Sequence, residues 1–409
     1  MARAQVLNLW HEMDRIYLDH NATTPAAAEV IEAVSRGLAE EIGNPSSLHY
    51  FGQRAKRRLE EAREEVAGLI GAEAKEIIFL SGGTEANNLA IKGVAEANAK
   101  QGRHLVTSAV EHHAVLHSFA ALEKRGFEVT RLPVDEYGRA SVEALEPALR
   151  PDTILVSVML ANNEVGTLQP VAEMAALCRE RGVPFHTDAV QAVGKVPVDV
   201  EKLGVDLLSL SGHKFYGPRG VGALYVRKGV PYLPQMHGGH QERNRRAGTE
   251  NLPGIVGMGV AARLARQHLA EWAAHTSKLR ELLQTGIEER MEDVRIFGHP
   301  QYRLPNTLCA AFGGTEGESL LMNLDLKGVA VSTGSACSSG TIEPSHVLQA
   351  MRVPAEYLRA ALRFSLGKDN TEEQIARVLE LLGDIIPRVR SLAPGHREAS
   401  GVRPQAPGK

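Results

Sequence analysis

The sequence predicts an α/β fold, a mostly parallel sheet with helices on both faces, followed by a smaller α+β domain. Between about residues 28 and 226, short apolar runs alternate with helical stretches, most of them 10–20 residues long. A long amphipathic stretch then opens at Pro253, and beyond it the pattern turns to mixed short strands and helices.

Taken in order, Tyr50–Ile70 reads as a helix with Leu59, Ala62, Val66 and Leu69 on one face and charges opposite. Strands are expected at Glu76–Leu80, His104–Thr107, Phe127–Leu132, Thr153–Met159, Pro184–Thr187, Leu207–Leu210 and Gly222–Val226. The helix from Pro253 should run to about Met291. Strands near Leu308–Phe312 and Val329–Ser332 and helices near Glu318–Leu324, Pro344–Met351 and Thr371–Ile386 follow. We divide the chain into a large domain, 16–262, and a small one, 263–392 with 1–15. Residues 393–409, with three Pro and three Gly, read as a disordered tail.

The chain has 409 residues, with 46 Lys and Arg against 49 Asp and Glu, a net charge of −3. That balance gives no basic field, so direct nucleic-acid binding is not expected. The longest apolar run falls short of the roughly 20 residues a membrane span needs, and Met1–Arg15 lacks a signal-peptide pattern. A cytoplasmic protein is expected. The three cysteines, Cys178, Cys309 and Cys337, match no disulfide framework and no metal-ligand spacing, so no metal site is expected.

Ligands of such folds sit beyond the C-terminal strand ends. There, Ser81-Gly82-Gly83-Thr84-Glu85 leads from a strand into a helix and reads as a phosphate cup. Its glycines allow close approach and the helix start offers free N–H groups. Asp188 closes one strand, with Gln191 after it; Ser211-Gly212-His213-Lys214 follows another. A desolvated lysine is available to a carbonyl group, and an acid can hold a protonated pyridine nitrogen. Cup, lysine and acid on one face are what pyridoxal phosphate requires. His112 begins a helix and could stack on a ring; Asn162 or Asn163 could reach the same pocket. Cys178 and Cys309 lie in regular runs and read as packing residues. Cys337 lies among Ser, Thr, Gly and Ala from Val331 to Thr341, which suits a reactive thiol on a mobile loop.

Several segments, in order, resemble the NifS/IscS-type cysteine desulfurases: Tyr17–Pro25, Ser81–Asn88, Glu111-His112, Asn162–Thr167, Asp188–Gln191, Ser211–Lys214, Arg245–Asn251, Ser335–Cys337 and Arg363–Ser365. The resemblance spans about residues 16 to 390 and implies a fold-type I, pyridoxal-phosphate-dependent homodimer that converts L-cysteine to L-alanine. By position it implies that Lys214 carries the cofactor, Asp188 pairs with the ring nitrogen, Gln191 meets the ring hydroxyl and His112 stacks on the ring. Gly83, Thr84, Ser211 and His213, with Thr249 from the other subunit, are implied phosphate ligands. Asn163 and Arg363 are implied substrate ligands, and Cys337 the nucleophile that takes sulfur as a persulfide. The 26 residues from Cys337 to Arg363 resemble the long-loop branch, whose members pass sulfur to iron–sulfur scaffold proteins or other acceptors.

Other readings are weaker. An aminotransferase has no use for Cys337 on a loop, and a partner-binding relative without catalysis would not need lysine, acid and cysteine together. Gly254-Ile-Val-Gly257-Met-Gly259 has the wrong glycine spacing for a dinucleotide fingerprint and follows no strand.

Overall fold

Strand β1 (Ile16–Tyr17) is followed by helices α1 (Ala28–Glu40) and α2 (Tyr50–Ile70), in a computed structural model that describes residues 15–40, 42–333 and 344–392. Next come β2 (Ile77–Leu80), α3 (Gly83–Ala97), β3 (His104–Ser108), α4 (His113–Glu123), β4 (Glu128–Leu132) and β5 (Thr153–Ser157). Then follow α5 (Val171–Glu180), β6 (Phe185–Asp188), β7 (Leu207–Ser211) and β8 (Gly222–Val226). The long α6 (Leu252–Arg290) leads to β9 (Val294–Phe297), β10 (Thr307–Phe312), α7 (Gly317–Leu326), β11 (Val329–Ala330), β12 (Ser332–Thr333), β13 (Ala361–Ser365) and α8 (Glu372–Leu392).

The main sheet has the order β2-β8-β7-β6-β5-β3-β4, parallel except for β8, which runs antiparallel to both its neighbours. Side chains alternate across a strand, and β2 shows the result. Ile77 and Phe79 join a core with α2, α5 and α6, whereas Ile78 and Leu80 join one with α3 and α4. With helices on both faces, the interior strands are buried throughout, the polar His186, Thr187 and Asp188 of β6 included; only edge strand β4 exposes Glu128 and Arg131.

Helix α2 has the bounds its periodicity predicts, closed by Gly71 at φ +69°. Its burial differs in one respect. Arg63, expected among the solvent-facing charges, is 2% exposed, and Leu69 is only half-buried. In α6, Pro253 sits in the first turn and the Asn251 side chain accepts the Gly254 N–H. The glycines of the 254–259 segment serve packing: a Cβ at Gly257 would lie 2.5 Å from Val34 Cγ2, and one at Gly259 2.8 Å from Ala62 Cα.

A second, antiparallel sheet has the order β12-β13-β10-β9. Its core joins Phe312 and Phe364 to Leu279, Leu283 and Ile287 of α6 and Leu382 and Ile386 of α8. The expected strand Val329–Ser332 divides in two, because β11 pairs with β1 while β12 pairs with β13. Ile16 and Leu18 therefore pack in this second core. Strands β9 and β13 were not anticipated from the sequence. The expected tail, residues 393–409, and Cys337 with its neighbours lie outside the described residues.

Candidate active site

Strands β2, β5, β6 and β7 point their C-terminal ends to one side of the sheet, and the loops there carry the predicted residues. At β2, Ser81-Gly82 turns into α3, whose first residues are Gly83 and Thr84. The turn passes very close to β8: a Cβ on Gly222 would stand 2.6 Å from Gly82 Cα. A Cβ on Gly82 would instead meet only Ser211 Oγ, at 3.8 Å, and would project into the open cup. That cup, about 460 Å³, is bordered by Gly82, Gly83, Thr84, Ser211 and His213.

A second cavity of about 220 Å³ shares Gly83, Thr84, Ser211 and His213 and also faces Asn87, His112, Asn163, Asp188, Gln191 and Lys214. The structure thus brings most of the expected residues together around two adjoining spaces. A larger groove of about 530 Å³ lies between α1, α2 and α6. Among its lining charges Arg36 pairs with Glu32 at 2.9 Å and Arg58 with Glu61 at 2.9 Å, so these groups turn to one another rather than to a ligand.

Asp188 ends β6, buried, with its two oxygens oriented from the protein side. Asn87 Nδ2 donates to Oδ2 at 2.6 Å and Val190 N–H to Oδ1 at 3.0 Å. Asn87 lies one turn into α3, so the helix that starts at the cup also holds the acid. Lys214 lies just past β7. Its Nζ donates to Asn21 O at 2.6 Å and Ala22 O at 2.8 Å. Burial, then the Arg363 charge, push its amine down from the usual range to about 8. His213 is pushed down to about 4 by burial and by Lys214, so its imidazole is neutral; its Nδ1 lies 3.1 Å from Thr23 Oγ1.

His112 is the N-cap of α4, its Nδ1 accepting the Ala114 N–H at 3.1 Å while the ring faces the cavity. Behind it, Glu111 is fully buried, and Oε1 accepts from Ser108 Oγ at 2.6 Å and Met159 N–H at 2.9 Å. Burial raises the Glu111 carboxyl to about 8. Of the two asparagines after β5, Asn163 lines the cavity. Asn162 is structural, its Oδ1 accepting from Glu164 and Val165 N–H and its Nδ2 donating to Val110 O.

Arg363 comes from β13, opposite Cys309 and Ser332. Its Nη1 donates to Asn163 O at 3.0 Å and its Nη2 to Asp19 Oδ1 at 2.7 Å. The buried Nε has no partner among the described residues. Thr249 is exposed and borders a separate cavity with Ser81 and Gly220, away from Asp188. Cys178 and Cys309 are buried free thiols, each pushed up to about 12, chiefly by burial. Sequence reasoning gave no role to Asp19, Asn21, Asn87 or Lys195. For Asn87, the signal was its spacing of four from Gly83 on a helix.

The Aminotransferase class-V family model matches residues 16–378. The chain is 52% identical to "Cysteine desulfurase IscS" of Dictyoglomus turgidum, over 94% of this chain and 97% of that protein. It is 51% identical to "Cysteine desulfurase IscS" of Methanosarcina thermophila, over 95% and 96%. Among solved structures, a "NIFS-LIKE PROTEIN" superposes with a TM-score of 0.87 at 42% identity, covering 91% of this chain and 100% of that one. "SspA in complex with cysteine" superposes with 0.77 at 36% identity, covering 87% and 100%. With the cup, the lysine and the acid standing in that order on one sheet edge, the chain belongs to the class-V aminotransferase family, and within it to the NifS/IscS-type cysteine desulfurases.

Proposed function

We propose that this chain is a pyridoxal-phosphate-dependent cysteine desulfurase that converts L-cysteine to L-alanine and leaves the sulfur as a persulfide on Cys337. The observation that carries the reading is the pair of adjoining cavities in which Lys214, Asp188, His112, Gln191 and Asn163 face an anion cup. These residues fit the cofactor. The cup a Cβ would fill suits its phosphate, the Asp188 carboxylate its ring N–H, and the Lys214 amine its aldehyde.

When bound, pyridoxal phosphate supplies an electron sink that stabilises negative charge at the α-carbon of an attached amino acid. Gly83, Thr84, Ser211 and His213 hold the phosphate, His112 stacks on the ring and Gln191 meets its hydroxyl. Asp188 keeps a proton at the ring nitrogen. Lys214 would hold the cofactor's aldehyde and would take and return protons at the substrate's carbons; an amine with a pKa near 8 serves both directions. Arg363 and Asn163 hold the substrate carboxylate, and the unpartnered Nε leaves Arg363 a donor to spare.

The Cys337 thiolate then attacks the substrate sulfur. The carbon–sulfur bond breaks, a sulfur–sulfur bond forms, and the carbon takes the electron pair and a proton. Cysteine plus thiol thus gives alanine plus persulfide. Support for this placement comes from the chain on either side of Cys337. Ser332 pairs with Arg363, Ser345 Oγ donates to Glu164, and His346 Nε2 donates to Glu111 O at 2.9 Å. Both flanks are therefore tied beside the cavity.

A homodimer is supported by an apolar surface on one segment: Leu38 is 72% and Leu48 89% exposed, with Ile31, Ile42, Tyr50 and Phe51 nearby in sequence. Thr249, which lines neither of the two adjoining cavities of its own chain, suits a role in the partner's. Sulfur then passes to an iron–sulfur scaffold or another acceptor protein. Two free buried thiols fit a reducing cytoplasm, and among the described residues no helix is long and apolar enough to cross a membrane. The test is mass spectrometry after adding L-cysteine to the purified protein. One extra sulfur on the Cys337 peptide is expected, and an unmodified peptide alongside alanine formation would overturn the reading.

A further inference from the structure

Four residues after Gln191, Lys195 turns its amine inward between two amide oxygens. Its Nζ donates to Gln191 Oε1 at 2.6 Å and to Asn21 Oδ1 at 3.1 Å. The residue is half-buried overall because its stem borders a narrow cavity beside His20 and Trp272. The amine itself is desolvated and sits near the charges of Lys214 and Arg363.

The surrounding bonds have one polarity. Gln191 Nε2 donates to Asn21 O at 2.8 Å, the carbonyl that also accepts Lys214 Nζ. Asn21 Oδ1 accepts a second bond, from Asn306 Nδ2 at 3.2 Å. Asn21 Nδ2 donates to Thr307 Oγ1 at 2.9 Å and Asn163 O at 3.1 Å. Turning the Gln191 amide over would take Oε1 away from the Lys195 N–H and set it against the Asn21 carbonyl. Both hydrogen bonds that fix the present orientation would be lost, and the one to Asn21 would become a repulsion. With Oε1 taken by Lys195 and one amide hydrogen by Asn21, the second hydrogen on Nε2 remains for the cavity that Gln191 lines.

We propose that Lys195 is a positioning residue that locks the Gln191 amide so that it offers N–H, not C=O, to the cofactor's ring oxygen. The inference rests on the assignment of the cavity to pyridoxal phosphate. A donor there favours the ionised form of the ring hydroxyl, so Lys195 acts on cofactor binding and on the cofactor's visible band without touching either substrate or cofactor.

The test strips the protein of cofactor and titrates it with pyridoxal phosphate, reading the dissociation constant and the band maximum. Lys195→Met is expected to weaken binding by roughly tenfold, about the effect of one lost hydrogen bond in a desolvated site, and to shift the band. Gln191→Ala should do the same, and the double variant should be little worse than either single one. Lys195→Gln, which keeps a donor, should restore most of the binding. Should Lys195→Met not fold, Gln191→Glu gives an independent reading: it keeps Lys195 satisfied, shows only oxygen to the cavity and is expected to weaken binding. Wild-type affinity in Lys195→Met or Gln191→Glu, or losses that multiply in the double variant, would overturn the proposal. Failure of the wild-type protein to take up pyridoxal phosphate would overturn the assignment of the cavity itself.

Discussion

Arg363 is held by Asp19 across 344 residues of chain, Nη2 donating to Oδ1 at 2.7 Å. The pair aligns a buried guanidinium from the second sheet with the cavity at the edge of the first. Asp19 is partly open, its side chain 20% exposed against 5% for Arg363. Removing Asp19 would leave a buried charge with only one carbonyl partner.

Asp19→Ala is therefore expected to raise KM for cysteine about tenfold, with a smaller effect on kcat, because the variant loosens the group we propose holds the substrate carboxylate. It should also cost about 2–3 kcal/mol of stability, somewhat below the range for breaking a fully buried pair. Steady-state kinetics and urea denaturation measure the two effects. An unchanged KM would show that Arg363 is held well enough by Asn163 alone.

Lys214 should react as a lysine with a pKa of about 8, whereas an ordinary surface lysine titrates near 10.4. Only the neutral amine attacks an aldehyde. Colour return on adding pyridoxal phosphate to the stripped protein should therefore accelerate with rising pH and level off above about 8. A midpoint near 10 would contradict the desolvated setting. Lys214→Ala should bind the cofactor without the visible band near ~420 nm expected of a lysine-bound form.

Cys337→Ala should keep that band, since the cup, Asp188 and Lys214 stand on other elements, yet form no alanine from cysteine. Retained turnover would place the nucleophile elsewhere. Cys178 and Cys309 are poor substitutes, because burial raises both thiols to about 12.

What the sequence made legible followed from local pattern. Lys214, Asp188 and Gly83 each close or follow a strand whose apolar run is visible in one dimension, so their shared edge could be inferred. Asp19, Asn21 and Lys195 could not be assigned in this way. Lys195 and Gln191 find Asn21 across 174 and 170 residues, and nothing in the local spacing signals the meeting. The strand bearing Arg363, Ala361–Ser365, has that arginine at its centre, which breaks its apolar run, so its pairing with β10 and β12 was not visible. Arg63 misled for a related reason: on α2 it falls among solvent-facing charges, and only its distant partner, Glu242, explains its burial.

The Arg63–Glu242 pair leads to a further expectation. Both side chains are 2% exposed and joined by two bonds of 2.7 Å, and Glu242 also accepts the Phe79 N–H at 2.9 Å. Glu242, Arg243 and Asn244 have φ of 45°, 59° and 65°, a left-handed run without glycine that costs of order 1–3 kcal/mol per residue. The pair holds this strained turn, and with it the segment carrying Thr249. Arg63→Met or Glu242→Leu alone should cost about 3–5 kcal/mol, and the two together should cost less than either single charge removal. Denaturant unfolding of the three variants decides it; a double variant as unstable as the sum of the singles would deny the coupling.

Glu111 should impose a pH slope on stability. Its folded pKa is raised from 4.5 to about 8 by burial, so the folded state keeps a proton that the unfolded chain loses. The folded state binds more protons across that window, and stability must therefore fall as pH rises from about 4.5 toward 8. Glu111→Gln removes the titration but not the acceptor, because both observed hydrogen bonds go to Oε1. The variant should match the wild type near pH 5 and become progressively more stable than it by pH 8. Glu164, raised to about 7 mainly by burial, contributes a slope of the same sign that the Glu111 variant retains. Urea midpoints measured for both proteins at pH 5, 6.5 and 8 provide the check, and a constant difference between them would mean that Glu111 ionises as readily folded as unfolded.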